Sequence, residues 1–302
     1  MCWFIGTGNF AALCLEGLIN RGFKFDKIIT GLPTKSGRNN KQNPSAVEIK
    51  AASLGLNVTR TGKLSENYEL IDSLANSKPD IIFVIDFGQI IREPFLSQMC
   101  LNIHPSLLPE YRGAAPIQRA LLDGKTKTGV SLFRLVKAMD AGEILSQAEI
   151  KILPEYNASD LYKILAEMGC DLAAKSLHSG GKLIFTAQNE NFATYAHKLE
   201  KDEFALSFNI TAEKFCNTVR ALDMSGGAYA IIRDKRVKIW RCELIENLCD
   251  SVPGKILELD NKLVISCANN AVSLLQVQSE GRKTCTGLEW ARGMRFKQGD
   301  IL

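Results

Sequence analysis

Five consecutive apolar residues, Ile81-Ile82-Phe83-Val84-Ile85, constrain this chain more than any other segment. All but Phe83 are β-branched, which stiffens the side chain and favours extended backbone over helix. A strand that is apolar at every position has no side to give to water. It must be covered on both faces, which is the situation of a central strand in a parallel sheet flanked by helices.

The neighbouring segments fit that expectation. Cys2–Ile5 reads as a buried strand, Gly6–Asn9 as a turn, Phe10–Leu18 as an amphipathic helix and Phe25–Thr30 as a second strand. Gly31–Pro44, rich in Gly, Asn, Lys and Pro, reads as a long loop. Ser45 is placed to cap a helix running through Ser53, with Glu48 completing a capping box. Val58–Thr59 is expected as a short strand, Ser65–Ser77 as a helix, Cys100–His104 as a strand and Pro116–Asp123 as a helix. Gly129–Leu135 and Ile144–Ile152 read as antiparallel strands around a turn at Met139–Gly142, and Asp160–Leu177 as a long helix. The fold expected is therefore α/β, a Rossmann-like domain with a mainly parallel sheet.

The pattern then changes. Gln188–Asp202 is polar and charged and reads as a linker. After a helix at Ala212–Ala221, the segments Ala228–Ile232, Val237–Leu244, Gly254–Leu259, Lys262–Cys267 and Val272–Gln278 alternate with a period of two, the signature of a small antiparallel, OB-like barrel. A chain of 302 residues suits two domains, expected at residues 1–187 and 206–302 with a linker at 188–205.

Composition excludes several classes. Hydrophobic residues make up 46% and charged residues 23%, as in an ordinary globular enzyme. No apolar run approaches the roughly 18 residues that a membrane span requires, and the N-terminus lacks the basic region of a signal peptide. The nine cysteines include no C-x-x-C pair, which argues against a zinc site or a disulfide framework and for the reduced thiols of a cytoplasm. The net charge of +4 hides a division. Residues 34–63 hold six Lys/Arg against one Glu, residues 64–205 fourteen against nineteen acids, and residues 206–302 fourteen against eleven. Two basic regions could receive a polyanion. Charge alone gives a merely solvated surface equal weight.

Two constellations could carry chemistry. Gly6-Thr7-Gly8-Asn9-Phe10-Ala11 fits the G-x-G-x-x-A turn of dinucleotide folds, but the second strand ends Ile28-Ile29-Thr30 without the ribose-binding carboxylate. A nicotinamide oxidoreductase is thus disfavoured, and the glycines are read as serving a tight turn. The other constellation contains one of only three histidines. His178 reads as a helix C-terminal cap and His197 as a surface residue, whereas His104 closes a strand and leads through Pro105 toward the loop Arg112–Pro116. Asn102, two residues earlier, emerges on the same face. An amide and an imidazole at a strand end suit acyl transfer, one polarising a carbonyl and the other moving a proton. Standing alone, the pair could equally be structural.

The pair does not stand alone. The run Asn102–Ile117 (NIHPSLLPEYRGAAPI) resembles the signature of the 10-formyltetrahydrofolate-dependent formyltransferases, and Met139–Leu145 (MDAGEIL) resembles their second motif, with Asp140 at the catalytic aspartate. Gly113–Ile117 is similar to the branches acting on methionyl-tRNA and on sugar amines. Gly6-Thr7 with Phe10-Ala11 resembles the family's opening turn, Thr194–Leu199 its linker, and Val237–Trp240 with Pro253–Leu257 the barrel strands of the tRNA branch.

The resemblance implies transfer of formyl from 10-formyltetrahydrofolate to the α-amino group of initiator methionyl-tRNA, with a sugar-nucleotide amine as the alternative acceptor. It implies Asn102, His104 and Asp140 as catalytic residues. It implies a folate site lined by Phe87, Gly88, Gln89, Ile90, Ile91, Ser106, Leu107, Leu108 and Pro109, with no metal. It also implies a tRNA contact through the early basic loop at Lys35, Arg38 and Lys41, with the enzyme acting as a monomer. The catalytic trio argues against a non-catalytic tRNA-binding protein. Three departures stand out. Gly8 replaces a usual proline, Asp86-Phe87-Gly88 an Ala-Tyr-Gly type sequence, and Met224–Gly227 a Trp-Pro-rich turn.

Overall fold

The computed structural model describes residues 1–36 and 41–302. The chain opens with β1 (Cys2–Gly6), α1 (Asn9–Asn20), β2 (Lys27–Gly31), β3 (Thr34–Ser36), β4 (Lys41–Asn43), α2 (Ala46–Ser53), β5 (Thr59–Thr61), α3 (Tyr68–Ser77), β6 (Ile81–Ile85) and β7 (Cys100–His104). There follow β8 (Arg112–Gly113), α4 (Pro116–Leu122), β9 (Lys127–Arg134), β10 (Ile144–Lys151), α5 (Ala158–His178) and β11 (Tyr195–Ala196). Seven strands form one sheet in the order β10-β9-β7-β6-β1-β2-β5, so β6, the uniformly apolar strand, lies at its centre. Its pairings with β1 and β7 are parallel, as are β1 with β2 and β2 with β5. Strand β9 runs antiparallel to β7, and β10 antiparallel to β9.

The side chains of β6 divide between two layers, as its sequence requires. Ile82 and Val84 join Trp3, Ile5, Ile29, Leu70 and Leu74 in one buried cluster. Phe83 is buried against the edges of Phe23 and Phe25, with ring centroids 5.4 and 6.2 Å away. Close approach of α5 is built on glycines. A Cβ at Gly169 would stand 2.3 Å from Ile103 of β7, and one at Gly17 of α1 would stand 2.7 Å from the Cys170 sulfur. Strand order reverses between β1 and β6: the chain moves outward through β2 and β5, then returns to β6 and β7. Such a switch point opens a crevice at the carboxyl ends of the strands.

Several expectations shift locally. The segment expected as a loop over Gly31–Pro44 contains the antiparallel pair β3 and β4, whose polar residues satisfy each other's main chains. Helix α3 starts at Tyr68, because Leu64–Glu66 makes a 3-10 turn and Asn67 caps the helix by accepting from Leu70 N at 3.1 Å. Ser45 does cap α2, accepting from Glu48 N at 3.0 Å, but the Glu48 carboxylate turns to Arg60.

By contacts the chain divides into two units. The first comprises Met1–Pro116, Lys127–Lys151 and Tyr162–Ala196, and the second comprises Ile117–Thr126, Ile152–Leu161 and His197–Leu302. The stretch 188–196, read as linker, belongs to the first: Arg112 N donates to Thr194 O at 2.9 Å and Ala114 N to Ala196 O at 2.8 Å.

In the second unit, α6 (Ala212–Ala221) precedes β12 (Ala228–Ile232), β13 (Lys235–Ile245), β14 (Ile256–Glu258), β15 (Val264–Ser266), β16 (Ala271–Ser279), β17 (Cys285–Thr286) and α7 (Gly287–Gly293). The strands form an antiparallel sheet in the order β12-β13-β16-β15-β14, with β17 beside β16. Helix α7 has no counterpart among the sequence expectations. It begins at a capping box of Thr286 and Glu289.

Candidate active site

Strand β7 delivers Asn102 and His104 to the carboxyl edge of the sheet. Its register with β9 pairs Asn102 with Phe133 and His104 with Ser131, fixing both residues from the antiparallel side. His104 is buried and Asn102 half-buried. Among the described residues the Asn102 side chain has no hydrogen-bond partner, so its amide is free to bind a ligand. The ring of His104 is oriented by a carbonyl: Nε2 lies 2.9 Å from Tyr111 O. A carbonyl only accepts, so Nε2 carries the hydrogen and Nδ1 is the nitrogen left for chemistry.

Asp140 comes from the turn between β9 and β10. Its Oδ2 lies 3.8 Å from His104 Nδ1, an ion-pair separation too long for a hydrogen bond. The same oxygen accepts from Gly113 N at 2.8 Å, which ties the carboxylate to the loop after β7. Asp140 has φ +49°, the left-handed region that non-glycine residues seldom occupy. The three residues expected to carry catalysis are thus brought together, at the end of one strand and the turn beside it.

Two family models match most of the chain. One, described as formyl transferase, matches residues 2–176, and one described as formyl transferase, C-terminal domain, matches residues 198–295. The chain belongs to the formyl transferase family. It is similar to a protein of Sulfurihydrogenibium sp. (strain YO3AOP1) named methionyl-tRNA formyltransferase, with 34% identity over 98% of each chain. It is also similar to a protein of that name from Lactobacillus acidophilus, with 36% identity over 93% of this chain and 91% of the other. Among solved structures, the fold is shared with HypX from Aquifex aeolicus in complex with tetrahydrofolic acid, at a TM-score of 0.64 and 17% identity. That match covers all of this chain and 48% of HypX, so the chain spans about half the length of that protein. An N-formyltransferase from Helicobacter canadensis, in complex with folinic acid and dTDP-3-aminofucose, shares the fold at a TM-score of 0.63 and 20% identity, over 92% of this chain and 98% of the other.

The loops of this formyl transferase around the trio show which groups remain free for a ligand. The Ser106 hydroxyl is spent on Glu110 O at 2.6 Å. Leu108 is buried, its N–H on Ser131 Oγ at 3.0 Å and its carbonyl on Gln147 Nε2 at 2.8 Å. Phe87 and Ile91 belong to the buried cluster beneath the sheet edge. Gln89 anchors its loop, accepting from Leu64 N at 3.1 Å and donating to Gly62 O. What remains open to a ligand in this region is the exposed Gly88–Ile90 stretch, with Ile90 72% exposed, and the half-buried Leu107 and Pro109.

Gly8 and Asp86, both singled out in the sequence, meet in the structure. Asp86 follows β6 with φ +45°, and its carboxylate accepts from Phe10 N at the start of α1 at 3.3 Å. A Cβ at Gly8 would stand 1.9 Å from the Asp86 carboxylate oxygen, and Gly8 N itself donates to Asp86 O at 3.0 Å. Gly8 has φ −82°, which a proline tolerates; the Asp86 side chain and the lost N–H are what exclude one. Asp86 is exposed as a residue, but the packing of α1 against its carboxyl removes enough water there to push that group above its ordinary value, against the pull of the Phe10 and Ala11 amides.

Of the basic-loop residues, Arg38 lies outside the described residues, while Lys35 and Lys41 are in β3 and β4. The second unit has cations laid over aromatic rings: Arg236 over Tyr229 at 4.0 Å, Lys238 over Trp240 at 5.2 Å and Arg233 over Phe296 at 4.0 Å. His178 stacks on Phe23 at 4.5 Å and His197 is exposed. Among the described residues no cluster of His, Cys, Asp and Glu could hold a metal ion, and no helix is long and apolar enough to cross a membrane.

Sequence reasoning missed Arg112. Its buried guanidinium donates from Nε and Nη2 to Gln188 Oε1 at 3.1 and 2.7 Å, and from Nη1 and Nη2 to Glu190 at 2.8 and 2.7 Å. A charged residue inside the loop after β7 was the available signal. Its partners, far along the chain, were not readable.

Proposed function

We propose that this chain transfers the formyl group of 10-formyltetrahydrofolate to the α-amino group of the methionine carried by initiator tRNA, as a monomer in the cytoplasm. The end-to-end likeness to proteins named as methionyl-tRNA formyltransferases carries the choice of acceptor, and the arrangement of Asn102, His104 and Asp140 supports the chemistry.

The neutral amine attacks the formyl carbon, a C–N bond forms, and the carbonyl oxygen takes the negative charge. Asn102 donates to that oxygen. Removing one such donor typically costs on the order of 3 kcal/mol of barrier. His104 takes the proton from the attacking amine at Nδ1 and returns it to N10 of the folate as the C–N10 bond breaks. Asp140, 3.8 Å from Nδ1, stabilises the ring while it carries that proton. The folate supplies the formyl group. Gly88–Ile90, Leu107 and Pro109 line its site, with Phe87, Ile91, Ser106 and Leu108 packing and fixing those loops.

The body of the tRNA is bound by residues other than the catalytic trio. We assign the first unit, including residues 188–196, to catalysis and 206–302 to tRNA binding, with Lys35, Arg38 and Lys41 meeting the acceptor arm. The basic residues stacked on Tyr229, Trp240 and Phe296 suit a phosphate backbone with exposed bases. The test is a competition between acceptors: the protein with 10-formyltetrahydrofolate, charged initiator tRNA and a dTDP-amino sugar together. Formyl is expected on the tRNA, and formyl on the sugar alone would refute the assignment.

A further inference from the structure

Asp140 poses a mechanical problem. Its main chain is in the left-handed region, which non-glycine residues seldom occupy, and its carboxylate stops 3.8 Å from Nδ1 of the His104 ring. Such a conformation persists only where surrounding groups over-determine it. Among the described residues the Gln188 side chain does so. Gln188 Nε2 donates to Asp140 O at 2.8 Å and to Gly142 O at 2.7 Å, gripping the main chain at Asp140 and again two residues beyond it.

The orientation of that amide is forced. Arg112 can only donate, and it presents Nε and Nη2 to one atom of Gln188, which must therefore be the carbonyl oxygen. The NH2 group is left facing the two main-chain carbonyls, which can only accept. Arg112 is itself fixed by its ion pair to Glu190 and by burial to 2% exposure. Gly142 adds a second constraint, since a Cβ there would stand 1.7 Å from Arg134 O. Arg112 and Gly113 are adjacent in β8. One short strand therefore acts on Asp140 twice, through Gly113 N on the carboxylate and through Arg112 and Gln188 on its main chain.

We propose that Gln188 is a positioning residue for the transfer. It locks the strained turn so that the Asp140 carboxylate faces His104, and Arg112 sets which end of its amide faces the turn. The claim about the turn is independent of the substrate. Its consequence for rate rests on the reading of Asn102, His104 and Asp140 given above.

The test compares Gln188→Met, which keeps length and packing but donates nothing, with Gln188→Glu, which keeps the contact to Arg112 and loses the donor. Two readouts are needed. The first is the amide resonance of Gly113, which reports on the carboxylate it binds. It is expected to move in both variants, toward its position in Asp140→Ala, whether or not substrate is present. The second is the steady-state rate, where kcat is expected to fall by about 10- to 100-fold, the scale of a misplacement near 1 Å, with KM for 10-formyltetrahydrofolate within about twofold. A still Gly113 resonance overturns the proposal, and so does a lowered melting temperature with kcat per folded enzyme unchanged. If Gly113 moves while the unaltered protein formylates no acceptor, the positioning role stands and the functional reading fails.

Discussion

Asp86 and Gly8 interact so closely that neither can be judged as a single substitution. The carboxylate sits where a Cβ on Gly8 would be, and since it ends a side chain of an exposed residue that can swing aside, Gly8→Ala should destabilise at the low end of the overpacking range, by about 1 kcal/mol. In the background of Asp86→Ala the same change should cost far less. A urea-denaturation double-mutant cycle measures that coupling, and additive effects would refute the contact. The raised carboxyl gives a second prediction. The folded state holds the Asp86 proton more tightly than the unfolded chain, so its contribution is present below the ordinary value of 3.8 and is lost as pH rises through the raised one. Asp86→Asn keeps an acceptor for Phe10 N and should raise the melting temperature at neutral pH, with the gain shrinking as pH approaches 3.8. At the site itself, Asn102→Ala should lower kcat about 100-fold, equivalent to about 3 kcal/mol. The sequence already displayed Asn102 and His104 as a pair, because a spacing of two on a strand places side chains on one face. Asp140 was legible only through resemblance: no periodicity links a turn residue to the end of another strand. The pairing of Gln188 with Arg112 was not legible, since the two lie 76 residues apart.

Element types were readable where the local pattern decided them. The apolar run Ile81–Ile85 took the centre of the sheet because nothing polar in it could face water. Ala212–Ala221 and Ala228–Ile232 formed with the expected bounds, each being a closed pattern of its own. What local pattern could not fix was the choice between partners. Glu48 had the right spacing for a capping box but is bound to Arg60, a residue twelve further on. The converse holds at α7, where Thr286 and Glu289 complete a capping box outside any expected helix. Thr286→Ala should therefore cost about 1 kcal/mol, the typical value of an N-cap, as seen in chemical denaturation. No change in stability would mean that α7 is held by the packing of Trp290 and Phe296 alone.

At the scale of the molecule, charge division is the feature that separates acceptor from chemistry. Binding of initiator tRNA should weaken with salt, and Arg236→Ala with Lys238→Ala should flatten the slope by up to about 0.9 log unit per lost phosphate contact on duplex. An unchanged slope would remove this face from the tRNA footprint. Acid should also unfold the protein in a defined window. Arg21 holds the Asp171 carboxyl below its ordinary 3.8, and Arg119 holds Glu203 below 4.5. The unfolded chain thus binds these protons more readily, so the stabilisation is full above the ordinary values and is lost as pH falls below them. The urea midpoint should fall between about pH 5 and 3, and less steeply in Arg21→Gln. The overall division into an α/β half and an antiparallel half was legible from the change of period. The placement of residues 188–196 with the first unit was not, because their polar character is satisfied by distant main-chain groups of β8.

The central claim is that Asn102, His104 and Asp140 move formyl from folate to methionyl-tRNA. Single-turnover formylation of charged initiator tRNA by the protein and by Asp140→Asn tests it most directly. Rapid formation of N-formylmethionyl-tRNA by the protein is predicted, with the variant slowed at least tenfold at unchanged tRNA affinity, a loss of about 1.4 kcal/mol or more. No formylation by the protein, or an undiminished rate in the variant, would contradict it.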